Sequence, residues 1–163
     1  MSCIVTFGPV GSEITLSDLT RYAIPPNGFH KEYKRREIFR ERRAGGSDLS
    51  YSRIVQVTMR EQLLFYPDPV SGYDGALANF NAVHDMFKTA RDYWRTLKDN
   101  PNPNPPVYYN EQFLNQGGLA AVTKYLVQTG DCTEGERLWL PSGGIIAEIL
   151  LICDAPTTED ILT

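Results

Sequence analysis

The sequence predicts an α+β protein in which an antiparallel β-sandwich or split barrel with a long hairpin carries one long packed α-helix. Three observations support this fold class. RIVQVTMREQLLFY alternates apolar and polar residues, a later stretch repeats apolar residues every three or four positions, and short strand-like runs end at glycine or proline. At 163 residues the chain is of ordinary length for one domain. We therefore expect residues 1–163 to form a single β domain with one helix.

The N-terminal part predicts short strands followed by a charged one. CIVTF is the first strand, EITLSDL a second short piece, and PPNG a turn. KEYKRREIFRERR, residues 31–43, then holds seven of the chain's sixteen Lys and Arg residues. Neither face of this segment is cleanly apolar in a helical or in a strand register. It is therefore predicted to be an exposed, twisted edge strand or a long arm, because cations on an edge discourage unwanted strand pairing.

The next segment predicts the partner of this charged strand. One face of RIVQVTMREQLLFY holds the apolar residues Val55, Val57, Met59, Leu63 and Phe65, and Glu61 interrupts it. A glycine-containing turn, AGGSD, separates the two runs. Together they predict a long β-hairpin from about Tyr33 to Phe65.

The helix is predicted from about Ala76 to Lys98, with Asp74 as its N-cap. Leu77, Phe80, Phe87 and Trp94 belong to a single apolar stripe with helical spacing. At 1.5 Å per residue the helix would be about 35 Å long, which is enough to cross one face of a sheet.

The C-terminal part returns to strands after NPNPNPP, whose prolines predict a stiff extended connector. VYYNEQF and GLAAVTKYLVQTGD are predicted strands. ERLWL and IIAEILLICD form a closing hairpin around PSGG, and residues 154–163 form a possible C-terminal arm.

The residues that carry chemistry are few, and we expect no enzyme, no metal and no organic cofactor. Cys3, Cys132 and Cys153 are widely spaced without a C-x-x-C pair, and the chain has only two histidines, His30 and His84. His84 lies on the apolar stripe of the helix, where a core or boundary role is typical. No apolar run reaches membrane-spanning length and no secretory signal pattern opens the chain. We therefore expect a protein that is made and kept in a reducing compartment, without a membrane.

The basic segment leaves three interpretations open. The chain as a whole has a net charge of −4, whereas residues 31–43 carry seven cations and three glutamates. The alternating signs suit a protein interface, where Arg binds carboxylates through two hydrogen bonds. A solvated hairpin and a nucleic-acid site that contacts phosphates are the alternatives. The candidate interface residues are Lys34, Arg35, Arg36, Arg40, Arg42 and Arg43.

The order of elements resembles the tail-tube-type domain of tailed bacteriophages, and more narrowly the N-terminal belt domain of distal tail proteins. Three segments carry the resemblance: RRAGGSDLSYSRIVQVTMREQLLF, ALANFNAVHDMFKTARDYWRTL and GIIAEILLICD. The resemblance implies a structural subunit of the virion tail, made in the host cytoplasm. It implies a self-associated, hexameric ring between tail-tube and tail-tip or baseplate proteins, with DNA only as passing cargo. It implies no catalytic or cofactor residues.

One departure from this family affects the prediction. Many distal tail proteins add a carbohydrate-binding-like domain, and this sequence is too short to hold one. A tail-tube or tail-terminator subunit is therefore an alternative, and a small β-domain that binds nucleic acid through the basic hairpin is another.

Overall fold

A computed structural model describes residues 3–42, 44–46, 48–115, 118–139 and 143–159. Within these ranges the chain forms nine strands and one helix. The strands are β1 (Cys3–Pro9), β2 (Ile14–Thr15), β3 (Tyr22–Ala23), β4 (Lys31–Arg42), β5 (Asp48–Phe65), β6 (Val107–Asn115), β7 (Gly118–Trp139), β8 (Ile145–Cys153) and β9 (Thr157–Glu159). The helix is α1 (Tyr73–Arg95). The predicted α+β class is confirmed: the protein is mostly antiparallel β with a single helix.

The strands form one antiparallel sheet in the order β2-β1-β6-β7-β8-β5-β3, with β4 added to β5 and β9 added to β7. β7 is the longest strand, because it pairs with β6 from Gly118 to Leu126 and then with β8 from Val127 onward. The sheet curls into a half barrel. Residues 136–139 of the predicted strand ERLWL form the end of β7. There Leu138 and Trp139 pair with Ile146 and Ile145 of β8, after a register shift that follows Thr133.

The core lies between the inner face of the curled sheet and α1. β8 alternates buried and half-buried residues along its whole length, as expected for a strand with one face in the core. α1 contacts β1, β5, β6, β7 and β8. Phe80 and Phe87 are fully buried, and the ring of Phe87 lies 5.3 Å from that of Phe7. The indole of Trp94 donates a hydrogen bond to the carbonyl oxygen of Val127 at 2.9 Å. The predicted packing of this helix face is confirmed.

The start of α1 corrects the predicted boundary. The helix begins at Tyr73 with Gly72 as N-cap, and no side chain caps it, so Asp74 is not the cap. The reason is the preceding loop. A carboxylate oxygen of Asp68 accepts hydrogen bonds from the backbone N–H groups of Val70 and Ser71. Because this turn orients the chain, the helix begins at Tyr73, one residue before Asp74.

The end of α1 is also earlier than predicted. The last helical residue is Arg95 rather than Lys98, because the proline-containing connector folds back on the final turn. Asn102 donates a hydrogen bond to the carbonyl oxygen of Tyr93 at 3.1 Å and accepts one from the Thr96 hydroxyl at 2.7 Å. These bonds satisfy polar groups that the helix terminus leaves open.

The segment predicted as a C-terminal arm begins with a strand. β9 pairs with β7 through Thr157, Thr158 and Glu159, opposite Lys124, Thr123 and Val122. Residues 160–163 lie outside the described part of the chain.

Candidate interaction surface and its anchor

The basic segment forms most of a two-stranded extension of the sheet. β4 pairs with β5 from Lys31↔Met59 to Arg42↔Asp48, whereas the pairing of β5 with β8 ends at Val57↔Cys153. Residues 48–56 of β5 are therefore paired with β4 alone. We call residues 34–42 and 48–56 the basic ribbon. Nine residues of extended strand span about 30 Å.

Four cations of the basic ribbon have no counter-ion among the described residues. Lys34, Arg35 and Arg36 on β4 and Arg53 on β5 are exposed. Arg36 lies directly opposite Arg53 in the strand register. None of these four side chains has a carboxylate within ion-pair distance in the described part of the chain. Like charges at directly opposite positions destabilise a strand pair.

Two irregularities interrupt the ribbon. Lys34 pairs with Gln56 and Arg35 with Ile54, which leaves Val55 as an extra residue on β5. A second shift, between Glu37 and Phe39, leaves Ile38 as an extra residue on β4. Such bulges bend a strand and increase its twist, as the predicted twisted edge strand requires.

The structure places the predicted interface residues as follows. Lys34, Arg35 and Arg36 lie together on the exposed part of β4. The backbones of Arg40 and Arg42 continue β4 opposite Ser50 and Asp48, but their side chains are outside the described part of the chain. Arg43 also lies outside the described residues.

Lys31, the first cation of the segment predicted to be exposed, is mostly buried and lies apart from the candidate interface residues. Its side chain is 13% exposed, and its Nζ lies 2.6 Å from Oε1 of Glu111, which is 3% exposed. Nζ also donates a hydrogen bond to the carbonyl oxygen of Phe29 at 2.8 Å and lies 5.8 Å from the centre of the Tyr125 ring. The inner face of the sheet is otherwise apolar here, so the charge is stable only beside its partner.

Further hydrogen bonds hold the Glu111 side of this ion pair in place. The hydroxyl of Tyr109 donates to Oε1 of Glu111 at 2.7 Å and accepts the backbone N–H of Phe29 at 3.0 Å. The rings of Phe29 and Tyr109 stack with their centroids 5.2 Å apart. Burial first, and then the neighbouring Glu111 carboxylate, raise the pKa of the Tyr109 phenol, which therefore stays a proton donor.

Gly28 allows the backbone before Phe29 to lie close to the carboxylate of Glu111. Its φ is +80°, and a Cβ at this position would lie 2.1 Å from Oε1 of Glu111. Only glycine fits here, because both the backbone conformation and the space exclude a side chain.

A second contact follows two residues along β4. Tyr125 lies beside Tyr33: burial first, and then interaction with the Tyr33 phenol, raises the pKa of Tyr125. Lys31 and Tyr33 share one face of β4, since successive side chains of a strand point to opposite sides. We call Lys31, Glu111, Tyr109, Tyr125 and Tyr33 the anchor cluster.

Sequence reasoning missed the anchor cluster, although a local signal was present. In VYYNEQF the alternation of a strand places Glu111 on the same face as Val107 and Tyr109, which are buried. A carboxylate on an apolar face requires a buried partner. The partner itself, eighty positions earlier in the sequence, could not be identified without the fold.

Other groups that could carry chemistry are dispersed. His84 is 42% exposed on its side chain, stacks on Phe80 and lies 3.9 Å from the carboxylate of Asp131. Cys3, Cys132 and Cys153 are buried cysteines. Among the described residues, no three His, Cys, Asp or Glu side chains are placed to hold a metal ion. No helix in the described ranges has the length and apolar character needed to cross a membrane.

Comparison of the chain with protein-family models, with curated proteins and with solved structures finds no match.

Proposed function

We propose that this protein is a structural, non-enzymatic subunit of an oligomeric assembly, in which the basic ribbon binds an acidic surface of a neighbouring subunit. The observation that carries the proposal is the pair Arg36 and Arg53, which lie opposite each other with no carboxylate partner in the described structure. An external anion would offset the repulsion between these guanidinium groups. Arg presents a planar set of donors that matches a carboxylate.

The charge distribution favours a second copy of this chain as the neighbour. The net charge is −4, and residues 31–43 alone contribute +4, so the rest of the chain carries −8. A second copy therefore offers carboxylates to the ribbon. Opposite charges on two surfaces accelerate their encounter and fix their register.

The resemblance to bacteriophage tail proteins gives this proposal a specific form. In that form the chain is a distal-tail or baseplate-type subunit of a virion tail, in a hexameric ring at the end of the tube through which DNA passes. It would contact tail-tube and tail-tip proteins, and a tail-tube or tail-terminator subunit is the alternative. We also propose that the fold is a split barrel rather than a two-sheet sandwich, because β7 continues from its pairing with β6 into its pairing with β8.

Nucleic-acid binding is the second candidate function, and the same cations favour it. Exposed Lys and Arg side chains without internal partners can also neutralise phosphates. The two functions differ in their dependence on the ribbon: one predicts loss of assembly when its charges are reversed, and the other predicts loss of DNA or RNA binding.

The test is the double variant Arg35→Glu/Arg36→Glu, compared with the parent protein by sedimentation velocity over a range of concentrations. The matched control is Lys88→Glu/Lys98→Glu, which changes the net charge equally at two exposed positions in α1 and just after it. Under the proposed function the ribbon variant stays monomeric while the parent and the control assemble. Exposed substitutions change fold stability little, and Arg36→Glu removes the repulsion with Arg53, so the ribbon variant should be at least as stable to unfolding as the parent.

A salt titration of DNA and RNA binding on the same proteins decides between the candidates. If the ribbon variant assembles normally, and only its nucleic-acid affinity and salt dependence decrease, the interface proposal is wrong and the second candidate replaces it.

A further inference from the structure

We infer that the ion pair between Lys31 and Glu111 positions the basic ribbon, fixing the direction in which it leaves the sheet. The positioning itself is a property of the single subunit. Its use, presenting the ribbon cations to a neighbouring subunit, rests on the proposed function.

Lys31 and Glu111 lie on strands that are not neighbours in the sheet. Lys31 is the first residue of β4, and Glu111 lies on β6. In the sheet order these strands are separated by β7, β8 and β5. Nζ of Lys31 nevertheless lies 2.6 Å from Oε1 of Glu111. The pair therefore bridges the open side of the curled sheet at the point where the basic ribbon begins.

The side chains of Lys31 and Tyr33 both contact other strands where the basic ribbon begins. Lys31 binds Glu111 and the Phe29 carbonyl oxygen, and two residues later Tyr33 lies beside Tyr125. These side-chain contacts on one face of β4 add to its backbone pairing with β5 and tie the strand to β6 and β7 across the open side of the sheet. Beyond Tyr33, the described cations Lys34, Arg35 and Arg36 contact no carboxylate that would hold the ribbon.

The contacts of the buried Lys31 ammonium group depend on direction. Apolar side chains pack with similar free energy over a range of angles, but a buried ammonium group requires its acceptors at defined positions. Glu111 is held in turn by the Tyr109 hydroxyl, which also accepts the N–H of Phe29. Movement of the ribbon root would separate two buried charges, which the apolar surroundings oppose. The ion pair thus selects one orientation of β4.

The experiment measures the orientation of the ribbon directly. Spin labels are introduced as noncanonical amino acids at Ala44, an exposed residue at the ribbon tip, and at Asn81, an exposed residue of α1. This route avoids the buried thiols of Cys3, Cys132 and Cys153. Labelled protein is diluted with unlabelled protein so that only distances within one subunit contribute. Pulsed electron spin resonance then gives the distance distribution between the two labels.

The informative variant is Lys31→Met/Glu111→Gln, which removes both charges together and leaves no unpaired buried charge. The Gln side chain still accepts the Tyr109 hydroxyl. Lys34→Met is the matched control, since it removes an exposed cation three residues later on the same strand. Tyr33→Phe is a milder second variant that removes only the phenol hydroxyl beside Tyr125.

We expect the distribution to widen at least twofold in the double variant, to widen less in Tyr33→Phe and to remain unchanged in Lys34→Met. Amide hydrogen exchange should accelerate at least tenfold in residues 29–36 and stay unchanged in β8. An unchanged distance distribution in the folded double variant would overturn the inference, and if that variant does not fold, an unchanged distribution in Tyr33→Phe would do so. Loss of assembly on reversal of Arg35 and Arg36 is a separate result, so the inference and the proposed function can fail independently.

Discussion

Arg36 on β4 and Arg53 on β5 lie directly opposite each other on an exposed two-stranded ribbon, and no described carboxylate pairs with either. This relationship favours a partner outside the chain. If the ribbon were simply a solvated hairpin, exchanging one of the two arginines for an acid would improve it. A substitution at this pair should therefore change the stability of the monomer and the strength of assembly in opposite directions.

The first prediction concerns this pair. Arg53→Glu replaces a repulsive cross-strand pair with an attractive one, so the free energy of unfolding of the monomer should rise by about 0.2–1 kcal/mol. Assembly should weaken, because a cation is lost from the proposed interface and an anion takes its place. Urea unfolding and sedimentation velocity on the same preparation measure the two effects. Assembly that strengthens together with the fold would contradict the interface proposal.

The second prediction concerns the space beside the anchor cluster. Gly28→Ala should destabilise the fold strongly, because the new Cβ would lie 2.1 Å from Oε1 of Glu111. Overpacking of this kind costs about 1–3 kcal/mol, and the positive φ adds about 1–2 kcal/mol. Thermal unfolding is the measurement.

Gly11→Ala is the control for this substitution. Gly11 has a similar φ of +86°, but no other group lies within 4 Å of the point that a Cβ would occupy there. It should show the conformational cost alone. Equal destabilisation at both glycines would mean that contact with Glu111 is unimportant.

The third prediction tests the packing of α1. Phe87→Ala should reduce the free energy of unfolding by about 3–5 kcal/mol, because it removes a fully buried ring and leaves a cavity. The adjacent exposed residue provides the control, and Lys88→Ala should change stability by less than about 0.5 kcal/mol. A small effect of Phe87→Ala in urea unfolding would place this ring outside the core.

The fourth prediction is a pH dependence. Burial, followed by the nearby Asp154 carboxylate, raises the pKa of the Cys153 thiol from 9.0 to about 12. The unfolded chain releases this proton at lower pH than the folded protein does. The resulting stabilisation is therefore complete below pH 9 and is lost as the pH rises toward 12, by up to about 1.4 kcal/mol per pH unit.

Urea unfolding between pH 8 and pH 10.5 measures this loss, and Cys153→Ala serves as the reference because it cannot titrate. The difference in stability between the two proteins should shrink as the pH rises. A difference that stays constant over this range would show that the thiol titrates normally in the folded state.

Local patterns predicted those elements that depend on neighbouring residues. The helical spacing of Phe80, Phe87 and Trp94 identified α1, and the alternation around Val57 and Met59 identified β5. The helix boundaries were displaced at both ends, because Asp68 and Asn102 bind the chain from outside the helix and the periodicity contains no information about them.

Long-range contacts were the part that the sequence could not supply. The charged sequence around Lys31 predicts an exposed residue. Its environment is set instead by Glu111, Tyr109 and Tyr125, which the curl of the sheet brings to it. The opposition of Arg36 and Arg53 was also hidden, since the strand register depends on two bulges that the residue pattern does not reveal.

Electron microscopy of the purified protein tests the central claim most directly. We predict that the parent protein and the Lys88→Glu/Lys98→Glu control form closed rings or stacks of rings. The Arg35→Glu/Arg36→Glu variant should give only single particles of one subunit. Single subunits in the parent sample at every concentration, or rings that persist in the ribbon variant, would contradict the account.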